Sequence, residues 1–201
     1  MKKITPLERT LLLIAGLLAA YQIAIGIEGA SAAAMLSYTV AFGVLMVTGL
    51  LLIIFGYDLL ESSLVVIVAT IVPLSLSLGL VIEYLSAYKG LYFWFVLVGL
   101  AAVVITRTIS GRVVATWVLA FTHGVAGLVI FSLPIGLSLR GQAPPGFALV
   151  GVGGGLIGIA GLLLSLLKTG QPILSKKAIL SLFPGLLLLT TSAFVAGFAL
   201  G

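Results

Sequence analysis

Residues 91–139 read LYFWFVLVGLAAVVITRTISGRVVATWVLAFTHGVAGLVIFSLPIGLSL, and this stretch decides the fold. Two apolar runs, 91–106 and 113–139, are separated by a short turn that carries Arg107 and Arg112. A helix needs about 20 predominantly apolar residues to cross the hydrocarbon core of a bilayer. Runs of that kind recur on both sides, at 7–27, 33–56 and 64–85 before it and at 147–167 and 178–200 after it. The breaks between the seven runs are short and hold nearly all the charge. Closed β-barrels also span membranes, but their strands alternate polar and apolar residues. Runs such as Leu11-Leu12-Leu13-Ile14 and Leu186-Leu187-Leu188-Leu189 do not alternate. The expected fold is an all-α bundle of seven transmembrane helices, one polytopic domain over residues 1–201 with no soluble domain.

Composition demands the same solvent. Of the 201 residues, 62% are hydrophobic and 7% charged, where a soluble domain carries about 25% charged residues. A soluble fold of this length has too much surface to hide so much apolar side chain. The net charge of +5 does not point to nucleic acid, because the basic residues stand singly or in pairs between apolar runs and form no stripe. Cys is absent, which excludes disulfides, thiolate metal sites and Cys nucleophiles. Asn is absent as well, a depletion of thermolabile residues that fits a heat-adapted source or, equally, a GC-rich genome.

The basic residues serve topology. With the N-terminus in the cytoplasm, Lys2, Lys3, Arg9, Arg107, Arg112, Lys168, Lys176 and Lys177 fall inside, and Lys89 and Arg140 outside. Cytoplasmic loops carry such an excess of Lys and Arg. Seven crossings then leave the C-terminus outside, and the expected location is the plasma membrane of a prokaryote. Tyr84, Tyr88, Tyr92 and Trp94 cluster about the outer turn between the third and fourth helices, at the depth amphipathic rings prefer. The start of the chain has a rival reading: Lys2-Lys3, an apolar run and Ala30-Ser31-Ala32 resemble a cleavable signal peptide. The run is longer than a signal-peptide core, so a retained first helix is expected.

Lipid gives no hydrophobic drive for helix association, so small residues that let backbones approach carry weight. Gly16, Ala20 and Ala24 recur on the first helix, and Gly151, Gly154, Gly155 and Gly158 on the sixth. Either set serves internal packing or docks another copy or another membrane subunit. The first helix is the preferred docking face, being terminal. Pro73, Pro134 and Pro184 fall inside helices, where each removes a backbone hydrogen bond; they are static kinks or hinges of an alternating-access cycle. Ser75, Ser77 and residues 190–192 stand ready for the freed carbonyls. Gly153-Gly154-Gly155 is a candidate unwound segment of the sort that forms transporter sites, although tight packing is the commoner reason for a Gly-rich helix. A faint repeat pairs Gly49 with Pro73 and Gly161 with Pro184, as if helices two–three, four–five and six–seven were three hairpins of one orientation. The size and small-residue first helix resemble substrate-binding subunits of vitamin importers, but the helix count differs and no motif matches.

Ionisable groups within a membrane are site candidates by default. His123, the one histidine, falls near the middle of the fifth run, Glu83 near the outer end of the third, and Glu28 just outside the first. His123 suits proton relay, and the two glutamates suit a cation at an outer vestibule. The alternatives are a hydrogen-bonded core imidazole and interface carboxylates. No metal or cofactor is expected: no second His is present for haem, and no His/Asp/Glu cluster for zinc. No HExxH, GxSxG or P-loop occurs, and Asp58 is the sole Asp, so no Asp dyad forms within one chain. Two non-enzymatic functions are expected to compete. The leading one is a transporter or channel for a small solute or ion. The alternative is a non-catalytic subunit or scaffold of a larger membrane complex.

Overall fold

The computed structural model describes residues 4–109, 111–168 and 174–201. Lys2, Lys3 and most of the break between the last two helices lie outside the described residues. Seven helices run α1 (Pro6–Ile25), α2 (Ala32–Phe55), α3 (Ser63–Tyr84), α4 (Lys89–Ile109), α5 (Arg112–Leu139), α6 (Ala148–Lys168) and α7 (Lys176–Ala199). Each is long and apolar enough to cross a membrane, and no strand occurs among the described residues. The chain is an all-α, multi-pass membrane protein.

The helices begin and end where their orphan backbone groups find partners. At the start of α1, Glu8 N–H donates to Thr5 Oγ1 at 3.3 Å, and Thr5 N–H donates to Glu8 Oε2 at 2.8 Å. Two donors that would otherwise stand unpaired are thereby satisfied reciprocally. Ser31 and Ser175 cap α2 and α7 through hydroxyls that accept from Ala34 N–H at 3.4 Å and Ala178 N–H at 3.2 Å. Gly26 and Gly56 stop α1 and α2 with φ of 69° and 77°, a left-handed region that favours glycine. Gly56–Glu61 forms a 3-10 helix that buries Tyr57, and Glu61 pairs with Lys176 at 3.2 Å.

Six helices close a ring in the order α1, α2, α3, α5, α6, α7, with α7 returning to α1; α4 stands outside it against α3 and α5. The three hairpins are therefore not equivalent in the fold, since the middle one gives only α5 to the ring. We call the end carrying Pro6 proximal and the other distal. Arg9, Arg107, Arg112, Lys168, Lys176 and Lys177 occupy helix termini at the proximal end, and Lys89 and Arg140 at the distal end.

Aromatic and aliphatic side chains fill the ring. Tyr38 and Phe198 lie 4.8 Å apart by ring centroid, and Phe42 meets Phe194 and Phe198 edge-on at 6.4 and 6.2 Å. Leu76, Leu80, Ile130 and Val150 complete this core. Edge-on contact of this kind is the favoured aromatic geometry. A void lined by Ala41, Phe42, Leu45, Val72, Leu76 and Phe194 has no room for a water molecule.

The glycines of α6 set its distance to both neighbours. A Cβ on Gly151 would lie 2.5 Å from the Phe131 carbonyl oxygen of α5, and one on Gly154 would lie 2.7 Å from Ile130. A Cβ on Gly153 would strike the Phe194 ring of α7, and one on Gly197 of α7 would sit 2.5 Å from Val150 N. Helix α6 is continuous through Gly153-Gly154-Gly155, so of the two readings of this run, unwound site and tight packing, the structure has the packing. The glycines buy close approach instead, the small-residue packing that membrane helices use in place of a hydrophobic drive.

Candidate functional site

The three ionisable candidates do not converge. Glu83 lies in the last turn of α3, where its carboxylate accepts from Ser31 N–H at 3.0 Å and Ser31 Oγ at 2.9 Å. Ser31 is the N-cap of α2, so the carboxylate also faces the positive end of that helix dipole. Glu28 is exposed in the turn between α1 and α2. His123 sits near the middle of α5, well away from the distal end that holds both glutamates. Its Nδ1 is buried without a hydrogen-bond partner. The charged side chain that acts on it is Arg107, a cation rather than a carboxylate. Arg140 and Lys89 are exposed, and Lys176 pairs with Glu61 at the proximal end.

The three proline helices run unbroken through Pro73, Pro134 and Pro184. Two of the hydroxyls expected to serve the freed carbonyls bond elsewhere. Ser77 Oγ donates to the Pro73 and Leu74 carbonyls at 2.6 and 3.1 Å, and Thr191 Oγ1 to the Leu187 carbonyl at 2.8 Å. The carbonyls that lose a partner belong to Ala69, Ile130 and Leu180, four residues before each proline. Back-bonding within one's own helix is the ordinary habit of Ser and Thr there.

The small-residue face of α1 divides. Gly16 is buried, with the place of its Cβ 3.9 Å from the Met46 carbonyl oxygen of α2. Ala20 is half-buried and Ala24 exposed. The stripe that α1 turns inward is Leu12, Ala15, Ala19 and Gln22. On α6, Gly151, Gly154 and Gly155 face α5, whereas Gly158 is exposed with open space around it.

Polar groups outside the ionisable candidates are buried more deeply than those candidates. Glu8 is 6% exposed and lies against the Tyr57 phenol; the Thr5-x-x-Glu8 capping pattern announces it. Gln22 is 3% exposed and donates from Nε2 to the Gly26 carbonyl at 2.6 Å, leaving Oε1 without a partner. Thr190 is fully buried with an unpartnered hydroxyl. A polar residue inside an otherwise apolar run is the signal for both. These groups are scattered along α1 and α7, and among the described residues no three His, Asp or Glu side chains gather as metal ligands would. A comparison with known proteins finds no matching family model, no similar curated protein and no similar solved structure.

Proposed function

We propose that the chain is a non-catalytic membrane subunit, a helical scaffold that works as part of a larger membrane complex. One observation carries this reading: Phe42, Phe194, Phe198 and their neighbours pack in the ring, and the void beside Phe42 and Phe194 has no space for water. A solute site needs a concave space with a few convergent polar groups. Here the polar groups lie apart, and Glu83 is engaged in tying α3 to α2. The separation of His123 from both glutamates speaks in the same direction, because a proton relay needs groups in sequence.

A second reading, a small transporter, keeps the support of two features. The buried, unpartnered atoms of His123, Gln22 and Thr190 are unusual in so apolar a bundle. Pro73, Pro134 and Pro184 also fall on three helices that share one direction, as hinges of one moving unit would. Paired substitutions separate the two readings. His123→Ala and Glu83→Gln lower the melting temperature without altering any flux if the chain is a scaffold. Loss of a measured flux with unchanged melting would establish the transporter.

A further inference from the structure

Helices α5 and α6 touch along only part of their length. In the distal half the backbones nearly meet. A Cβ on Gly151 would lie 2.5 Å from the Phe131 carbonyl oxygen, one on Gly154 2.7 Å from the Ile130 side chain, and one on Gly155 3.3 Å from the Phe131 ring. In the proximal half the same two faces part. Gly158 follows Gly151 and Gly154 by seven and four residues, and Gly124 and Gly127 precede Phe131 by seven and four. Residues so spaced share one side of a helix. Yet no described atom of another helix lies within 4 Å of the Cβ position of Gly124, Gly127, Gly158 or Gly161. Gly124, Gly158 and Gly161 are exposed, so the gap is a cleft open to the bilayer.

Glycine weakens a helix. In the distal half, contact between the backbones offsets that weakness; around the cleft nothing does. Membrane helices associate through close approach at small residues. The walls of the cleft carry the same small residues as the faces that already touch, so the two proximal halves also have a closed arrangement in which their glycines meet.

The hinge for such a closure stands where the contact ends. Pro134 has no N–H for the Ile130 carbonyl, and Ile130 is the residue of α5 that meets Gly154. Helix α5 thus lacks one backbone hydrogen bond in the turn that joins its packed distal part to its unpacked proximal part. The proximal part holds α4 through the contact of Gly99 with Thr122, and α4 stands outside the ring, against α3 and α5 only.

We infer that α5 hinges between Ile130 and Pro134, and that its proximal half closes the cleft onto Gly158 and Gly161 of α6. The inference needs only the fold of the bundle, and it stands whether the protein is scaffold or transporter.

The chain has no Cys, so labels attach only where a cysteine is introduced. Ala120→Cys with Leu162→Cys puts a spin label on each lip of the cleft, both at exposed positions. Leu139→Cys with Val152→Cys, also exposed, reports on the packed distal half. Pulsed electron spin resonance is performed on the full-length protein in phosphatidylcholine vesicles. The cleft pair is expected to show two distances, the shorter held by about a tenth of the molecules, and the distal pair one. Gly124→Leu with Gly158→Leu fills the cleft and is expected to erase the shorter distance. These side chains enter open space, and helicity by circular dichroism verifies the fold of each variant. Pro134→Ala restores the missing N–H and is expected to lower the shorter population about fivefold, the effect of one backbone hydrogen bond. A single distance for the cleft pair, the result of a lipid or a partner helix holding the cleft apart, would overturn the inference. So would a shorter distance that survives the leucines, or two distances for the distal pair.

Discussion

Glu83 and Ser31, 52 residues apart in the chain, are joined by two hydrogen bonds of 3.0 and 2.9 Å at the distal end of the bundle. The carboxylate satisfies the cap of α2 and fixes the end of α3 beside it. A charge-assisted pair of this sort, partly open to water, contributes about 1–2 kcal/mol. Glu83→Gln and Ser31→Ala are therefore expected to destabilise the protein singly and to be non-additive together. A double-mutant cycle on thermal melting in detergent measures the coupling. Full additivity would mean that the two residues do not act on each other.

The glycines of α6 make a sharper contrast. Gly151→Ala puts a methyl 2.5 Å from the Phe131 carbonyl oxygen, a backbone atom that yields only if α5 moves. The expected loss is about 1–3 kcal/mol, the usual cost of overpacking. Gly158→Ala, on the same helix with nothing within 4 Å of its Cβ position, is expected to be neutral or to stabilise by about 0.5–1 kcal/mol through helix propensity. Equal melting temperatures for the two variants would contradict the packing described for α5 and α6.

The number and edges of the helices were legible in the sequence because bilayer thickness fixes run length and charged breaks mark the ends. Thus 113–139 in the sequence becomes Arg112–Leu139 in the structure. What stayed hidden is lateral arrangement. An apolar helix reads alike whether it faces lipid or protein, since lipid tails are as apolar as leucine. Nothing in 91–106 announces that α4 stands outside the ring, or that α1 turns Ala15 and Ala19 inward rather than Ala24. The surroundings of the candidate residues were hidden for a related reason. Glu83 was visible as a rare carboxylate, but its partner Ser31 lies on another helix and only the fold brings them together. Glu8 was missed although its capping pattern stands in the sequence.

The lack of Cys makes orientation simple to measure. Asp58 at the proximal end and Gln142 at the distal end are both exposed. The excess of basic residues at the proximal end leads us to expect that end in the cytoplasm. In intact cells, a membrane-impermeant maleimide should label Gln142→Cys and spare Asp58→Cys until the cells are broken. The reverse pattern would invert the topology.

The filled ring also predicts how the isolated chain behaves. Proteoliposomes holding it are expected to show no conductance or small-solute flux above protein-free vesicles. Phe194→Ala, which empties part of the centre, is expected to lower stability by about 3–5 kcal/mol. Robust flux through the wild-type chain would contradict the sealed interior as the working state.

The most direct test of the scaffold reading is native mass spectrometry, with an absorption spectrum, on the protein gently extracted from its own membrane. The scaffold account predicts that this chain travels with other membrane subunits in fixed stoichiometry, and that His123→Ala and Glu83→Gln leave that complex assembled. A colourless species made only of copies of this chain, with a flux that His123→Ala abolishes, would contradict it and establish a transporter.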